Sequence, residues 1–363
     1  MAEVIKDWDA YDRVAVPLAG ALPLKGVKPG RPVSSGEALA RRPDPRRGDV
    51  HASINGLIEE INEFEIIIRR DDEAVGEPPQ PVDLAAVPAN ELPPRLKELG
   101  LDAPRTDEPV IISTLASEPG LNFAPALWGE HRETVLAGVN LLARLCPGHK
   151  ITWAVRQPGE APEGAETVII KGAYPHTLPS LIKRAITGRN DANGAGVFGA
   201  RELHLLGRAA RTGRPVTRMA LTLGGVSYFV PVGTRAIDLL TFANLGPGCG
   251  DAVILGGLVR GRGLARLERG LDKTAEALHL ARRADLGGSL QPCRACGQCA
   301  RACPLGLPVD LPAARPPEEW LAAPPDGILD ACLLCGACAL ACPAQRPLMS
   351  LVRLRAKAAM VTP

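Results

Sequence analysis

Aromatic side chains are scarce in this chain: four Trp, three Tyr and five Phe make up 3% of its 363 residues. The formal charge is only +2. Without a dominant basic run or interleaved stacking residues, nucleic acid is excluded as a partner class. No stretch reaches the roughly 18 uninterrupted apolar residues that a membrane helix needs, and Met1–Asp9 lacks the apolar centre of a signal peptide. The reading is a cytoplasmic chain with no transmembrane span of its own, able to sit peripherally at the inner face of the cell membrane. Length and apolar content fit two or three domains with packed cores.

Cysteine is present, and it is concentrated. Eight of the ten cysteines form C-x-x-C-x-x-C-x-x-x-C-P twice, as Cys293, Cys296, Cys299, Cys303 and Pro304, then Cys332, Cys335, Cys338, Cys342 and Pro343. Three thiols at i, i+3 and i+6 wrap one cuboidal cluster, and the fourth reaches the other cluster. The expected ligand sets are therefore Cys293, Cys296, Cys299 and Cys342 for one [4Fe-4S] centre, and Cys332, Cys335, Cys338 and Cys303 for a second. The alternatives are zinc and disulfides, but zinc favours two separated pairs, and disulfide frameworks belong to short secreted chains. Thiolate clusters imply a reducing compartment, which leaves Cys146 and Cys249 as buried free thiols.

Upstream the pattern changes three times. Val14–Arg70 alternates short apolar runs with glycine turns and reads as a small all-β unit. The spacing of Gly30, Val33, Gly36 and Leu39, followed by His51-Ala52-Ser53 and Gly56, resembles the barrel-sandwich hybrid of lipoyl carriers. Those carriers need a hairpin lysine, and none occurs between Lys28 and Lys97, so a swinging-arm role is excluded. His51 reads as a hydrogen-bonded structural residue. Proline from Pro78 to Pro94 marks a linker. Strands at Val110–Ser113, Ile151–Val155 and Val168–Ile170 then alternate with helices at His131–Leu145, Leu181–Ile186 and Ala200–Ala210, which predicts an α/β layer with a largely parallel sheet. Arg218–Leu223 alternates as a half-buried strand of a second β unit that continues to Val253–Gly257. Arg260, Arg262, Arg266, Arg269 and Lys273, mixed with Glu268, Asp272 and Glu276, read as a solvated helix face.

Gly194-Ala195-Gly196-Val197-Phe198-Gly199 satisfies G-x-G-x-x-G, but polar turn residues precede it, and no acidic residue lies between Leu203 and Ile237 for a ribose. It reads as a loop entering the Ala200 helix.

In the order of these modules, from about Val14 to Met360, the chain resembles the RnfC family of ion-translocating electron-transport complexes, and more loosely the flavin-binding subunit of respiratory complex I. The stretches C-R-A-C-G-Q-C-A-R-A-C-P-L-G-L-P and C-L-L-C-G-A-C-A-L-A-C-P-A-Q-R-P-L carry the resemblance most specifically. V-I-I-S-T-L-A-S-E-P is similar to the family's strand ending in E-C-E-P, with Glu118 on the second acid, and Tyr174-Pro175 is similar to its Y-P segment. The resemblance implies a multidomain α/β plus β chain. Its parts are a barrel-sandwich hybrid (1–76), a linker (77–108), a Rossmann-like α/β domain (109–212), an SLBB β-grasp unit (213–262) and a C-terminal two-cluster [4Fe-4S] ferredoxin-like module (263–363).

Family members bind FMN and accept hydride from NADH. Here the glycine-rich flavin loop is missing before Val110, and Ala116-Ser117 replaces the first cysteine of E-C-E-P. A degenerate flavin and nicotinamide site is expected, with Glu118 as its remnant. Three functions follow: an electron-transfer subunit relaying between a soluble donor and other subunits of a membrane redox complex; an active FMN-containing NADH dehydrogenase using another loop; or a scaffold with structural clusters. Arg294 and Arg301 in the first motif and apolar Leu333, Leu334 and Leu340 in the second are expected to separate the two potentials. Leu348–Met360, with Arg353, Arg355 and Lys357, reads as a helix packing its leucines on the cluster module.

Overall fold

The computed structural model describes residues 5–74, 76–105, 108–189, 194–282, 291–310, 319 and 331–353. Mixed sheets and helices lead into a small C-terminal module.

In the N-terminal part, β2 (Arg13–Pro17), β8 (Glu65–Arg70), β7 (Gly56–Ile61) and β4 (Pro32–Val33) form one antiparallel sheet, and β3 (Leu22–Pro23), β5 (Ala38–Arg41) and β6 (Val50–His51) form another. Val14, Val16, Leu39, Ile58, Ile66 and Ile68 fill a common core. Here β1 (Lys6–Asp7) departs from expectation, pairing in parallel with β14 (Val226–Pro231) of a distant sheet. Trp8 follows it into that sheet's core.

The proline-rich segment is no linker. Its helix α1 (Leu92–Glu98) begins with prolines, which suit a first helical turn. Leu84, Leu92, Leu96 and Leu99 are buried in the core of the α/β layer, so the hydrophobic contribution of the leucines overrides the prolines' preference for an open chain. Helix α2 (Phe123–Glu130) adds Phe123 and Leu127 to the same core.

That layer has four strands in the order β11 (Glu166–Ile169), β10 (Ile151–Val155), β9 (Val110–Ser113), β12 (Val197–Gly199), all parallel. Alternation sends Val110 and Ile112 toward α3 (Arg132–Leu145) and α5 (Ala200–Thr212), and Ile111 toward α4 (Pro179–Thr187). Helices α3 and α5 meet at glycines: a Cβ on Gly138 would lie 1.9 Å from Leu203 O, and one on Gly207 1.7 Å from Thr134 O.

The glycine motif does not follow a strand, and its second half, read as loop, is β12 itself. A Cβ on Gly196 would lie 2.2 Å from Pro109 O, so the residue permits close backbone packing.

A six-stranded mixed sheet follows, in the order β1, β14, β13 (Arg218–Leu223), β17 (Ala277–Ala281), β15 (Ala252–Leu255), β16 (Arg262–Gly263). The sheet runs past residue 262, because β17 lies between β13 and β15. Strand β13 is buried on both faces: Met219, Leu221 and Leu223 pack with α6 (Ala236–Phe242), whereas Ala220 joins the α/β core. The stretch from Arg260 to Lys273 is also not a helix; its glycines let the chain lie flat, and a Cβ on Gly270 would stand 1.6 Å from Ala15 O.

Cys146 is buried as expected, but Cys249 is exposed, on the turn after Gly246-Pro247-Gly248.

Candidate iron-sulfur site

The two cysteine motifs share one backbone. In each, the residue before the second cysteine takes positive φ, Ala295 at 48° and Leu334 at 51°, and the glycine after it does so again, Gly297 at 67° and Gly336 at 75°. Positive φ at a side-chain-bearing residue costs on the order of 1 kcal/mol, so its recurrence at matching positions marks a constrained loop. Alternating handedness turns successive N–H groups inward and forms the anion-binding concavity found at Fe–S sites. The N–H of Ala295 lies 3.4 Å from Cys293 Sγ. Each glycine then opens a short helix, α7 (Gln298–Arg301) and α8 (Ala337–Leu340), and the fourth cysteine follows it.

Each motif encloses a cavity. Cys293, Cys296 and Cys299 line the first, joined by Cys342 from the other motif. Cys332, Cys335 and Cys338 line the second, joined by Cys303. Each has room for the centre of a water-sized sphere over about 20 Å³. The electrostatic neighbours divide the same way. Burial pushes the Cys338 thiol up to about 12, with Cys335, Cys332 and Cys303 adding to it. Burial raises Cys299, with a smaller contribution from Cys342. Among the described residues no three His, Cys, Asp or Glu groups converge tightly enough to hold a single metal ion. Structural zinc would gather four sulfurs about 2.3 Å from one point, whereas a multi-iron cluster needs thiols standing apart around a void.

The cavities differ in polarity. Arg294, Asp310 and Arg346 border the first. Leu333, Leu334, Leu307 and Val352 border the second, with no charged side chain among the described residues. Arg301 borders neither; it donates to Cys296 O at 3.0 Å. Leu340 is exposed and points away from both. Leu348, Leu351 and Val352 are buried against the module, and Arg353 donates to Arg260 O at 2.9 Å. Arg355 and Lys357 lie outside the described residues.

The second motif is seated on the rest of the protein. The Tyr174 hydroxyl donates to Cys335 O. Leu178 packs with Cys335 and Ala337, and Val259 presses on Gly336. Glu118 belongs to this seat: it is buried, and its Oε1 accepts the N–H groups of Val259 at 2.7 Å and Arg260 at 2.6 Å. No sequence signal announced that role. His51 is buried and lies against the backbone of Glu98 and Asp49, in keeping with a hydrogen-bonded structural residue, although its Nδ1 makes no hydrogen bond of good geometry.

The 4Fe-4S dicluster domain family matches residues 292–346, the span of both motifs. The C subunit of the ion-translocating oxidoreductase complex of Pseudomonas aeruginosa is 28% identical over 223 residues, 54% of this chain and 29% of that protein. The similarity to this C subunit is distant. The C subunit of the same complex from Yersinia pseudotuberculosis is 26% identical over 224 residues, 54% of this chain and 32% of that protein. The match thus spans about a third of the length of these RnfC relatives. Among solved structures, an NAD+-reducing [NiFe]-hydrogenase in the H2-reduced state aligns with a TM-score of 0.42 and 18% identity, covering 69% of this chain and 56% of that one. No described helix is long and apolar enough to cross a membrane.

Proposed function

We propose that the chain is an electron-transfer subunit of a redox complex. In this reading Cys293, Cys296, Cys299 and Cys342 hold one [4Fe-4S] cluster, and Cys332, Cys335, Cys338 and Cys303 hold the other. The observation that carries it is the exchange of fourth cysteines between two otherwise separate cavities. When bound, the clusters supply one-electron transfer without bond making. The residues do the rest. Arg294 and Arg346 place positive charge beside the first site, Leu333 and Leu334 dry the second, and Tyr174 and Val259 fix the second loop on the scaffold. Other subunits are the partners, with a peripheral place at the inner membrane face, in keeping with the word "complex" in the relatives' name. The upstream parts are read as a barrel-sandwich hybrid, a Rossmann-like layer and a β-grasp unit.

The residues do not fit FMN in the way the family resemblance implies. Glu118 spends its buried oxygen on two backbone amides. The segment from Gly100 to Pro109 lacks the consecutive glycines that bare backbone N–H groups to a phosphate. No step through flavin is drawn.

Anaerobically isolated protein should carry about eight iron atoms and eight sulfides per chain, with EPR signals that appear on dithionite reduction. Far fewer irons, or zinc in their place, defeats the proposal. Clusters that dithionite cannot reduce would favour a scaffold, and yellow flavin absorbance bleached by NADH would favour the dehydrogenase.

A further inference from the structure

A cavity of about 320 Å³ lies where three parts of the fold meet: the turn into β6, the segment after α1, and the start of α5 with the turn at Asp272–Thr274. Its volume falls in the range of small-molecule sites. Val16, Leu101, Phe198, Leu205 and Val232 provide apolar wall, and none of the eight motif cysteines borders it.

The polar groups on the wall are unequally satisfied. Asp49 pairs with Lys97 at 2.9 Å, Asp102 with Arg47 at 3.1 Å, and Glu202 with Arg201 at 2.9 Å. Asp272 accepts the N–H and hydroxyl of Thr274. Lys273 donates to Gly100 O at 2.7 Å, and among the described residues no carboxylate lies within ion-pair distance of it. An ammonium has three donors, so two remain. Among the described residues the Arg42 guanidinium donates to carbonyls, Gly48 O and Ala19 O, with the carboxylates of Asp102, Asp272 and Asp49 acting on it at longer range. His51 is 7% exposed; its ring lies against the backbone of Glu98 and Asp49, and its Nδ1 makes no hydrogen bond of good geometry. Lys273 Nζ and His51 Nδ1 converge: they lie 2.6 and 2.9 Å from where a Cβ on Gly100 would stand. Lys273 and Arg42 are both half-buried, and a partly desolvated cation without a direct ion pair favours an anionic partner.

We propose that this cavity binds a small organic anion, an apolar or aromatic body bearing one phosphate or carboxylate, whose oxyanion pairs with Lys273 and Arg42. His51 completes the headgroup site as a neutral imidazole, held down to about 4 first by burial and then by the charge of Lys273. Lys273 itself is lowered to about 8, mainly by burial, and is charged at pH 7. The site is independent of the electron-transfer reading.

Titration calorimetry on the cluster-loaded full chain with phenyl phosphate, benzoate and inorganic phosphate tests this. One aromatic anion should bind at least about tenfold more tightly than inorganic phosphate, and its identity names the headgroup. Lys273→Met should weaken that binding by about tenfold or more. A second readout needs no variant: under limiting acetic anhydride with mass mapping, the bound anion should slow acetylation of Lys273 several-fold and leave exposed Lys25 and Lys28 unchanged. The proposal is overturned if neither aromatic anion binds better than inorganic phosphate, or if binding leaves the Lys273 rate unaltered.

Discussion

Glu118 Oε1 accepts the backbone N–H of Val259 at 2.7 Å, and the Val259 side chain presses on Gly336 between two cysteines of the second motif. A carboxylate in the loop after the parallel strand β9 thus props the loop on which a cysteine turn rests. Glu118→Ala leaves the Val259 and Arg260 amides without their acceptor and should cost about 2–4 kcal/mol, whereas Glu118→Gln keeps an oxygen there and should cost about 1 kcal/mol. Urea unfolding midpoints measure both. Equal, negligible losses would show that the bonds carry no weight.

The shared fourth cysteines give an iron count. Cys296→Ala with Cys342→Ala strikes one cavity, so the double variant should retain about four irons. Cys296→Ala with Cys303→Ala strikes both and should fall well below that. If each motif instead filled its own site, the two results would exchange, and iron analysis with EPR tells them apart.

Polarity should separate the potentials. Replacing Arg294 by Gln removes a cation from the first cavity and should lower that site's potential by tens of millivolts, leaving the other unmoved. An EPR-monitored redox titration reads this, and two indistinguishable wild-type potentials would contradict it.

Acid should weaken the fold through buried imidazoles. His204 stacks on Phe229 and is depressed to about 3 by burial, and then by Arg208. His51 is depressed to about 4. Between those values and the unfolded value near 6.5, the unfolded chain binds more protons, so stability is full above about pH 6.5 and is lost as pH falls. His204→Phe should flatten this loss by several kcal/mol between about pH 6.5 and 3, as read from unfolding at a series of pH values.

Helix propensity and packing oppose each other at Gly207. Alanine there would gain about 1 kcal/mol of intrinsic propensity in an isolated helix. In the fold its Cβ would strike Thr134 O, so Gly207→Ala should instead lower stability by about 2 kcal/mol or more, which thermal unfolding would show.

Sequence reading went far where local pattern decides. Strands β9 and β10 fall where periodicity put them, because runs such as V-I-I-S bounded by turns have few alternatives. The cysteine motifs named their own chemistry, since ligand spacing is a local constraint. It failed where a segment's neighbours override its composition. Proline between Pro78 and Pro94 reads as a linker until Leu84, Leu92 and Leu96 find a core to enter. The basic run after Arg260 reads as a solvated helix until Gly261 and Gly270 are seen to admit close backbone.

What the sequence alone determined is the pair of cysteine loops and the βα alternation ahead of them, because both are written in residues a few positions apart. Tertiary structure decided that β17 enters a sheet begun at β1, that Glu118 supports a loop some 140 residues on, and that Lys273 faces a cavity with no carboxylate among the described residues at ion-pair distance. These depend on which distant surfaces become neighbours, a matter of summed burial over the whole chain that no single stretch records.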